Sequence, residues 1–174
     1  MKKAGIGGAN TQTGLRFEGQ VDFSTFIQKQ KDYSIEGIKI LYKGEEVGLT
    51  FKKHGLYSYL EENSIDYNDF ISKKLLHDDV VFVIANNTMH IIEIKFQEVE
   101  GSTDEKLQTC DFKIKQYRKL LARLNVEVKY IYILNEWFEK PAYKDVLDYI
   151  ISVEGCLYYF NYLPLQKIGL PVPK

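Results

Sequence analysis

The sequence has few cysteines and no long apolar run. Only two of its 174 residues are cysteine, Cys110 and Cys156, and they stand far apart, in no spacing typical of metal ligands. This argues against a disulfide-rich secreted domain and favours two buried thiols in a reduced, cytoplasmic protein. No apolar stretch approaches the ~20 residues that cross a bilayer, so we expect no membrane partner. The basic start, MKK, is not followed by the apolar segment of a secretory signal.

The chain also lacks an excess of either charge. It carries 23 Lys and Arg residues against 24 Asp and Glu residues, for a formal net charge of −1. This balance excludes a polycation, so nucleic-acid binding would require a local basic face. The apolar fraction is an ordinary 45%, and 13 Tyr and 10 Phe make the aromatic content high. At this length the composition predicts one domain over residues 1–174 with a substantial core.

The N-terminal stretch 1–14 is polar and rich in glycine, with no strand or helix period. Its glycines follow no strand and lack the spacing of a dinucleotide-binding turn. We interpret the stretch as a flexible polar arm, which is common at chain termini. The alternative is an arm that reads DNA bases, because Asn and Gln pair well with adenine. The residues available for that role are Asn10, Thr11, Gln12 and Thr13.

Hydrophobic periodicity predicts an α/β fold. The predicted helices cover residues 15–30, 56–62, 66–75, 104–124 and 141–153. The predicted strands form hairpins at 38–52 and 78–96, with further strands at 126–134 and 157–160. The tail that follows contains three of the four prolines, so we expect it to be irregular.

The second hairpin, residues 78–96, carries charge at the outer ends of two otherwise apolar strands. The pair Asn86-Asn87 suits a tight turn, because Asn tolerates the positive φ that such turns need. With a turn of two or four residues, we place Asp78 opposite Lys95. Side chains alternate along a strand, so Asp78, Glu93 and Lys95 then share one face.

A turn of odd length would instead bring Asp79 to the face of Glu93 and Lys95. In either register, two carboxylates and an amine converge on one sheet face. Such a cluster is costly unless the groups pair, hold an ion or react. The alternatives are therefore a structural ion-pair cluster and a reactive site.

The predicted helix 104–124 follows this hairpin and has an apolar stripe at helical spacing. Cations cover the rest of its surface, and few acids accompany them. A charged outer face is ordinarily only solvated, but an excess of cations is also what phosphate contact requires. The six cations are Lys106, Lys113, Lys115, Arg118, Lys119 and Arg123.

The hairpin motif is Asp78, fourteen intervening residues, and then Glu93-Ile94-Lys95. In this order of elements it resembles the PD-(D/E)xK nuclease superfamily. The segments GGANTQTGLRFE and KFQEVEGSTDEKLQTCDFKIKQY look like small type II restriction endonucleases. One residue departs from the motif, since His77 stands where the motif has proline. The resemblance implies a restriction-endonuclease-like α/β core, a central mixed β-sheet flanked by α-helices.

The resemblance also implies a site. Its metal ligands would be the Asp78 and Glu93 carboxylates, the Ile94 carbonyl and Glu18 from the N-terminal helix, binding Mg²⁺ or in its place Mn²⁺. Lys95 would complete the catalytic set, orienting or deprotonating a water, or stabilising developing charge. The expected DNA contacts are Asn10, Thr11, Gln12, Thr13, Arg16, Gln97, Lys106 and Lys113.

The implied function is that of a Mg²⁺-dependent type II restriction endonuclease, cleaving double-stranded DNA at a short specific sequence. A homodimer would match a palindromic site, and a companion DNA methyltransferase is implied. Two alternatives remain. One is a repair or junction-resolving nuclease that selects DNA by its shape. The other is a catalytically inactive DNA-binding protein on the same fold.

Overall fold

The structure is a computed structural model that describes residues 14–16 and 22–173. It is an α/β architecture in which helices flank a seven-stranded mixed sheet. The strands are β1 Gly14–Arg16, β2 Tyr33–Glu36, β3 Lys39–Tyr42, β4 Glu45–Lys52, β5 Asp79–Val83, β6 Thr88–Lys95, β7 Glu127–Leu134, β8 Cys156–Phe160 and β9 Tyr162–Pro164. The helices are α1 Phe23–Gln28, α2 Gly55–Glu62, α3 Thr103–Leu107, α4 Cys110–Leu120, α5 Lys144–Ser152 and α6 Leu165–Ile168. Within these described ranges, no helix is long and apolar enough to cross a membrane.

The seven strands lie in their order along the chain, from β2 at one edge to β8 at the other. Strands β2 to β6 pair antiparallel, whereas β6, β7 and β8 run parallel. The parallel part needs long crossover connections, which α3 with α4 and then α5 supply. Strands β1 and β9 form a separate two-stranded antiparallel pair. The expected α/β class with a central mixed sheet is confirmed.

Both faces of the sheet are buried, because successive side chains of the central strands point to opposite sides. Val80 and Ile91 pack on the face that α2, α4 and α5 cover. Val81 and Ile92 pack on the other face, against α1, α6 and the C-terminal segment. The two cysteines, on α4 and β8, are free thiols in the first of these cores.

The predicted helix over 15–30 is wrong in its first part. The backbone of 14–16 forms β1 and pairs with β9, so a tertiary strand contact replaces the local helical pattern. The helix begins only at Phe23, after Asp22, whose carboxylate accepts a hydrogen bond from the Thr25 N–H at 2.8 Å. The arm 1–13 and Glu18 lie outside the described residues.

The predicted helix over 66–75 is a single 3₁₀ turn, Tyr67–Asp69. The Asp66 side chain caps that turn, as expected. Beyond it, the Tyr57 hydroxyl donates to the Leu75 carbonyl at 3.0 Å and accepts from the Leu75 N–H at 2.6 Å. These bonds satisfy the Leu75 backbone outside a helix, so the chain leaves the turn in an extended path towards β5.

The predicted helix over 104–124 is broken into α3 and α4, followed by a 3₁₀ turn at Ala122–Leu124. At the break, the Thr109 hydroxyl donates to the Lys106 carbonyl at 2.7 Å. This side-chain bond competes for a carbonyl that a continuous helix would use, which explains the interruption. The tail is also more regular than expected, because it forms β9 and α6.

Candidate active site

A four-residue turn, 84–87, joins β5 to β6, with Asn87 at a φ of 51°. Val83 pairs with Thr88 and Asp79 pairs with Ile92. The register is therefore displaced by two residues from the predicted one, and the expected pairing of Asp78 with Lys95 is wrong. A displacement by two preserves the faces, so Asp78 still belongs to the side of Glu93.

A small pocket of about 160 Å³ lies where these strands end, and the predicted residues meet there. Its lining combines two carboxylates, an amine and an imidazole. The lining residues are Leu76, His77, Asp78, Glu93 and Lys95. The structure thus brings Asp78, Glu93 and Lys95 together, as the motif predicts.

Glu93 is the centre of the cluster and is only 6% exposed. The Lys95 ammonium lies 2.6 Å from Oε1. The Lys113 ammonium, from α4, contacts Oε1 at 3.0 Å and Oε2 at 2.8 Å. The Tyr130 hydroxyl, from the neighbouring strand β7, donates to Oε2. Two ammonium groups and a hydroxyl balance the carboxylate, which is the condition under which a buried charge is tolerated.

Asp78 is exposed and lies just before β5. Its Oδ2 accepts a hydrogen bond from the Ile94 N–H at 2.7 Å. The N–H and C=O of one residue leave a strand on the same side, so the Ile94 carbonyl is also directed to the Asp78 side of β6. The two carboxylates and this carbonyl are all hard oxygen donors.

His77 lines the pocket and is 7% exposed. Its Nδ1 lies 3.0 Å from the Tyr117 hydroxyl, while Nε2 is buried with no hydrogen-bond partner among the described residues. Burial lowers the pKa of His77 to about 4, with nearby His54 adding to the effect and Glu93 opposing it. The imidazole is therefore neutral near pH 7.

Asp79, the alternative to Asp78, faces the opposite side of the sheet and is 2% exposed. Its Oδ2 accepts a hydrogen bond from the Phe23 N–H at 3.2 Å, at the start of α1. Burial raises the pKa of Asp79 to about 7. Asp79 thus holds α1 against the sheet and takes no part in the pocket.

The residues expected to contact DNA are differently placed. Gln97 is buried, and its side-chain amide donates to the Val99 carbonyl at 2.8 Å, so it orders its own loop. Lys113 is turned inward to Glu93, and Lys106 is exposed on α3. The backbone of Arg16 pairs in β1. The remaining four, Asn10, Thr11, Gln12 and Thr13, lie outside the described residues.

The cations of the predicted basic face of 104–124 largely contact other groups of the chain. Lys115 pairs with Asp111 at 2.8 Å, and Arg118 donates to the Glu154 carbonyl at 3.0 Å. Arg123 lies 5.3 Å from the centre of the Phe70 ring. With Lys113 on Glu93, four of the six cations have partners, so α4 does not present a continuous row of free cations.

The oxygen donors of the pocket are of the chemical type that binds a magnesium ion. Among residues 22–173, no three His, Cys, Asp or Glu side chains gather closely enough to hold a metal. Mg²⁺ requires no such cage, because it is commonly held by one or two carboxylates and retains several waters. Asp78 and Glu93, with the Ile94 carbonyl, meet that description. The contacts already made to Glu93 number four, however, which is the full acceptor capacity of a carboxylate.

Sequence reasoning missed Tyr130 and the inward position of Lys113. Tyr130 belongs to a strand with apolar residues on both faces, where a tyrosine reads as a core residue. Its parallel partner is Ile91, which puts its side chain on the face of Glu93. A signal would have been the alternation of Tyr130 and Tyr132 on one face of β7, combined with the register between β6 and β7.

The comparisons with known proteins add no relative: no protein-family model, no curated protein and no solved structure matches this chain.

Proposed function

We propose that this protein is a Mg²⁺-dependent type II restriction endonuclease with a restriction-endonuclease-like fold, cleaving double-stranded DNA at a short specific sequence. One observation carries the proposal. Asp78, Glu93 and Lys95 line a single pocket at the end of the central hairpin of a mixed sheet. This is the arrangement that the resemblance to PD-(D/E)xK nucleases predicts for its motif.

Each pocket residue has a distinct part in phosphodiester hydrolysis. Asp78, Glu93 and the Ile94 carbonyl would hold Mg²⁺, or Mn²⁺ in its place, which supplies an activated water and neutralises phosphate charge. Lys95 keeps its ammonium beside Glu93 and stabilises the charge that develops on the phosphate. Because the Lys95 Nζ is already engaged with a Glu93 oxygen at 2.6 Å, we assign it an electrostatic role rather than that of a base.

The substrate and partners follow from the same proposal. Double-stranded DNA is the substrate, and a homodimer would bring one pocket to each strand of a palindromic site. A DNA methyltransferase would protect the same sequence in the host. The exposed cations Lys106 and Lys119 on the α3–α4 side are candidates for phosphate contact.

A second candidate is a DNA-binding protein that has the nuclease fold and no activity. The observation that favours it is that the two lysines and the Tyr130 hydroxyl already occupy the acceptor sites of the Glu93 carboxylate. In that case the cluster would be a structural ion-pair network. Asp78 favours the nuclease, because it adds a second, exposed carboxylate to the lining of the same pocket.

Digestion of long DNA separates these functions. The full chain is incubated with unmodified phage DNA and Mg²⁺, with and without EDTA, and in parallel with a four-way junction. Discrete fragments that EDTA abolishes support the restriction endonuclease. Cleavage confined to the junction would assign a structure-selective nuclease. Retention of DNA in a gel-shift assay, with neither substrate cut in Mg²⁺ or Mn²⁺, would assign the inactive binding protein.

A further inference from the structure

Lys113 makes the most extensive contact with Glu93 of the three donor side chains. Its ammonium lies within hydrogen-bond distance of both carboxylate oxygens, at 3.0 and 2.8 Å. It also lies 5.8 Å from the centre of the Tyr130 ring. With both Glu93 oxygens engaged by one ammonium, a cation that Glu93 would hold has to compete with that contact.

The four charged groups of the cluster cancel one another. Asp78 and Glu93 carry two negative charges, and Lys95 and Lys113 carry two positive charges. From the residues that the structure describes, a divalent cation entering this cluster therefore meets no net negative charge. Repulsion between cations a few ångströms apart is strong where water is partly excluded, and Glu93 has only 8% of its side chain exposed.

Lys113 is better placed to withdraw than Lys95. Lys95 lines the pocket beside Asp78 and extends from the same strand as Glu93, whereas Lys113 reaches in from α4. The side chains of Lys113 and Lys95 are similarly exposed, at 24% and 22%, so exposure does not separate them. The distinction is that Lys113 belongs to another element, α4, and its flexible stem can leave Glu93 while Lys95 stays in the pocket. When it leaves, Tyr130 and Lys95 still hold the Glu93 carboxylate.

We propose that Lys113 is a built-in competitor of the divalent cation, occupying Glu93 in the metal-free protein and yielding it when the cation binds. The exchange breaks the two contacts between Lys113 and Glu93 and replaces them with a bond from a carboxylate oxygen to the cation. It follows that the free protein binds divalent ions weakly, and that removing the lysine charge strengthens binding. This inference rests on the proposed function, because it takes Glu93 to be a metal ligand.

The test measures Mn²⁺ binding directly, without DNA, from the EPR signal of free Mn²⁺ in titrations of the full chain. Lys113→Met should bind Mn²⁺ about tenfold more tightly than the wild type, because one positive charge next to the ligand is gone. Lys113→Gln, which retains a hydrogen-bond donor without the charge, should change the affinity in the same direction. The matched control is Lys115→Met on the same helix. Lys115 pairs with Asp111, neither residue lines the pocket, and this variant should leave the affinity unchanged.

A double variant tests whether the gain in Mn²⁺ affinity arises at Glu93. Adding Glu93→Gln to Lys113→Met should abolish the gain in affinity. The inference is overturned if both Lys113 variants, shown by circular dichroism to be folded, bind Mn²⁺ no more tightly than the wild type, or if the gain survives Glu93→Gln. The two proposals can fail separately. If the wild type cleaves DNA but the Lys113 variants bind Mn²⁺ with unchanged affinity, only the proposed competition is overturned. Conversely, a Glu93-dependent gain in Mn²⁺ affinity without DNA cleavage by the wild type would support the competition and contradict the proposed nuclease function.

Discussion

Asp78 and Ile94 are joined by a hydrogen bond of 2.7 Å from the Ile94 N–H to the Asp78 carboxylate, across the open end of the central hairpin. The bond holds Asp78 against β6, next to Glu93. The neighbouring carboxylate, Asp79, is instead buried against Phe23 on the other face of the sheet. Two adjacent acids thus have different surroundings, and amide substitutions should affect different properties of the protein.

Asp78→Asn is expected to lower the rate of DNA cleavage by about 100-fold or more, because it removes a negative charge from the proposed metal site. Its melting temperature should stay close to that of the wild type, since Asp78 is exposed. Cleavage rates and thermal melts of Asp78→Asn and Asp79→Asn check this. Loss of cleavage in a folded Asp79→Asn, with Asp78→Asn fully active, would contradict the assignment.

Asp79 should make the stability depend on pH. Burial raises the pKa of Asp79 from 3.8 to about 7, with Asp22 and Asp78 adding to the rise and the Phe23 N–H and Lys52 opposing it. The folded state therefore keeps a proton that the unfolded chain releases. The stabilisation is fully present below about pH 4 and is lost as the pH rises through 7.

Urea unfolding of the wild type and of Asp79→Asn between pH 4 and pH 8 isolates this contribution. The variant has no carboxyl group there, so its free energy of unfolding should increase relative to that of the wild type as the pH rises. The gain is at most about 4 kcal/mol. A difference between the two proteins that is independent of pH would show that Asp79 ionises normally in the folded state.

Tyr130→Phe should destabilise the protein by about 1–3 kcal/mol, because it removes a hydrogen bond to a buried carboxylate. The matched control is Tyr132→Phe on the same strand. That hydroxyl donates to the neutral Lys106 carbonyl at 3.3 Å, so its loss should cost less. Chemical denaturation measures both. Equal losses would mean that the Tyr130 hydroxyl has no special role at Glu93.

The order of the main elements and the shared face of the motif residues could be predicted from the sequence, because both follow from periodicity. Predicting the shared face required only that the turn after Val83 have an even number of residues. Because the predicted pairing was wrong by two residues, Asp78 remained on the side of Glu93. The break at Thr109 could not be predicted in this way, since it depends on one side-chain hydrogen bond to Lys106.

The partners of Glu93 also could not be predicted from the local sequence pattern. The contact from Tyr130 depends on how β7 lies beside β6, and the contact from Lys113 depends on how α4 crosses the sheet. Both are long-range relationships that no periodicity within a single segment contains. For the same reason, cations that suggest a basic face in the sequence become internal partners in the fold.

The measurement that tests the nuclease most directly compares Glu93→Gln with Glu98→Gln in the digestion of phage DNA with Mg²⁺. Glu93 lies in the pocket, whereas Glu98 is an exposed residue of the following loop. The predicted result is a set of discrete fragments from the wild type and from Glu98→Gln, and intact DNA from a folded Glu93→Gln. The same fragments from Glu93→Gln at the wild-type rate, or intact DNA from the wild type, would contradict the proposed site.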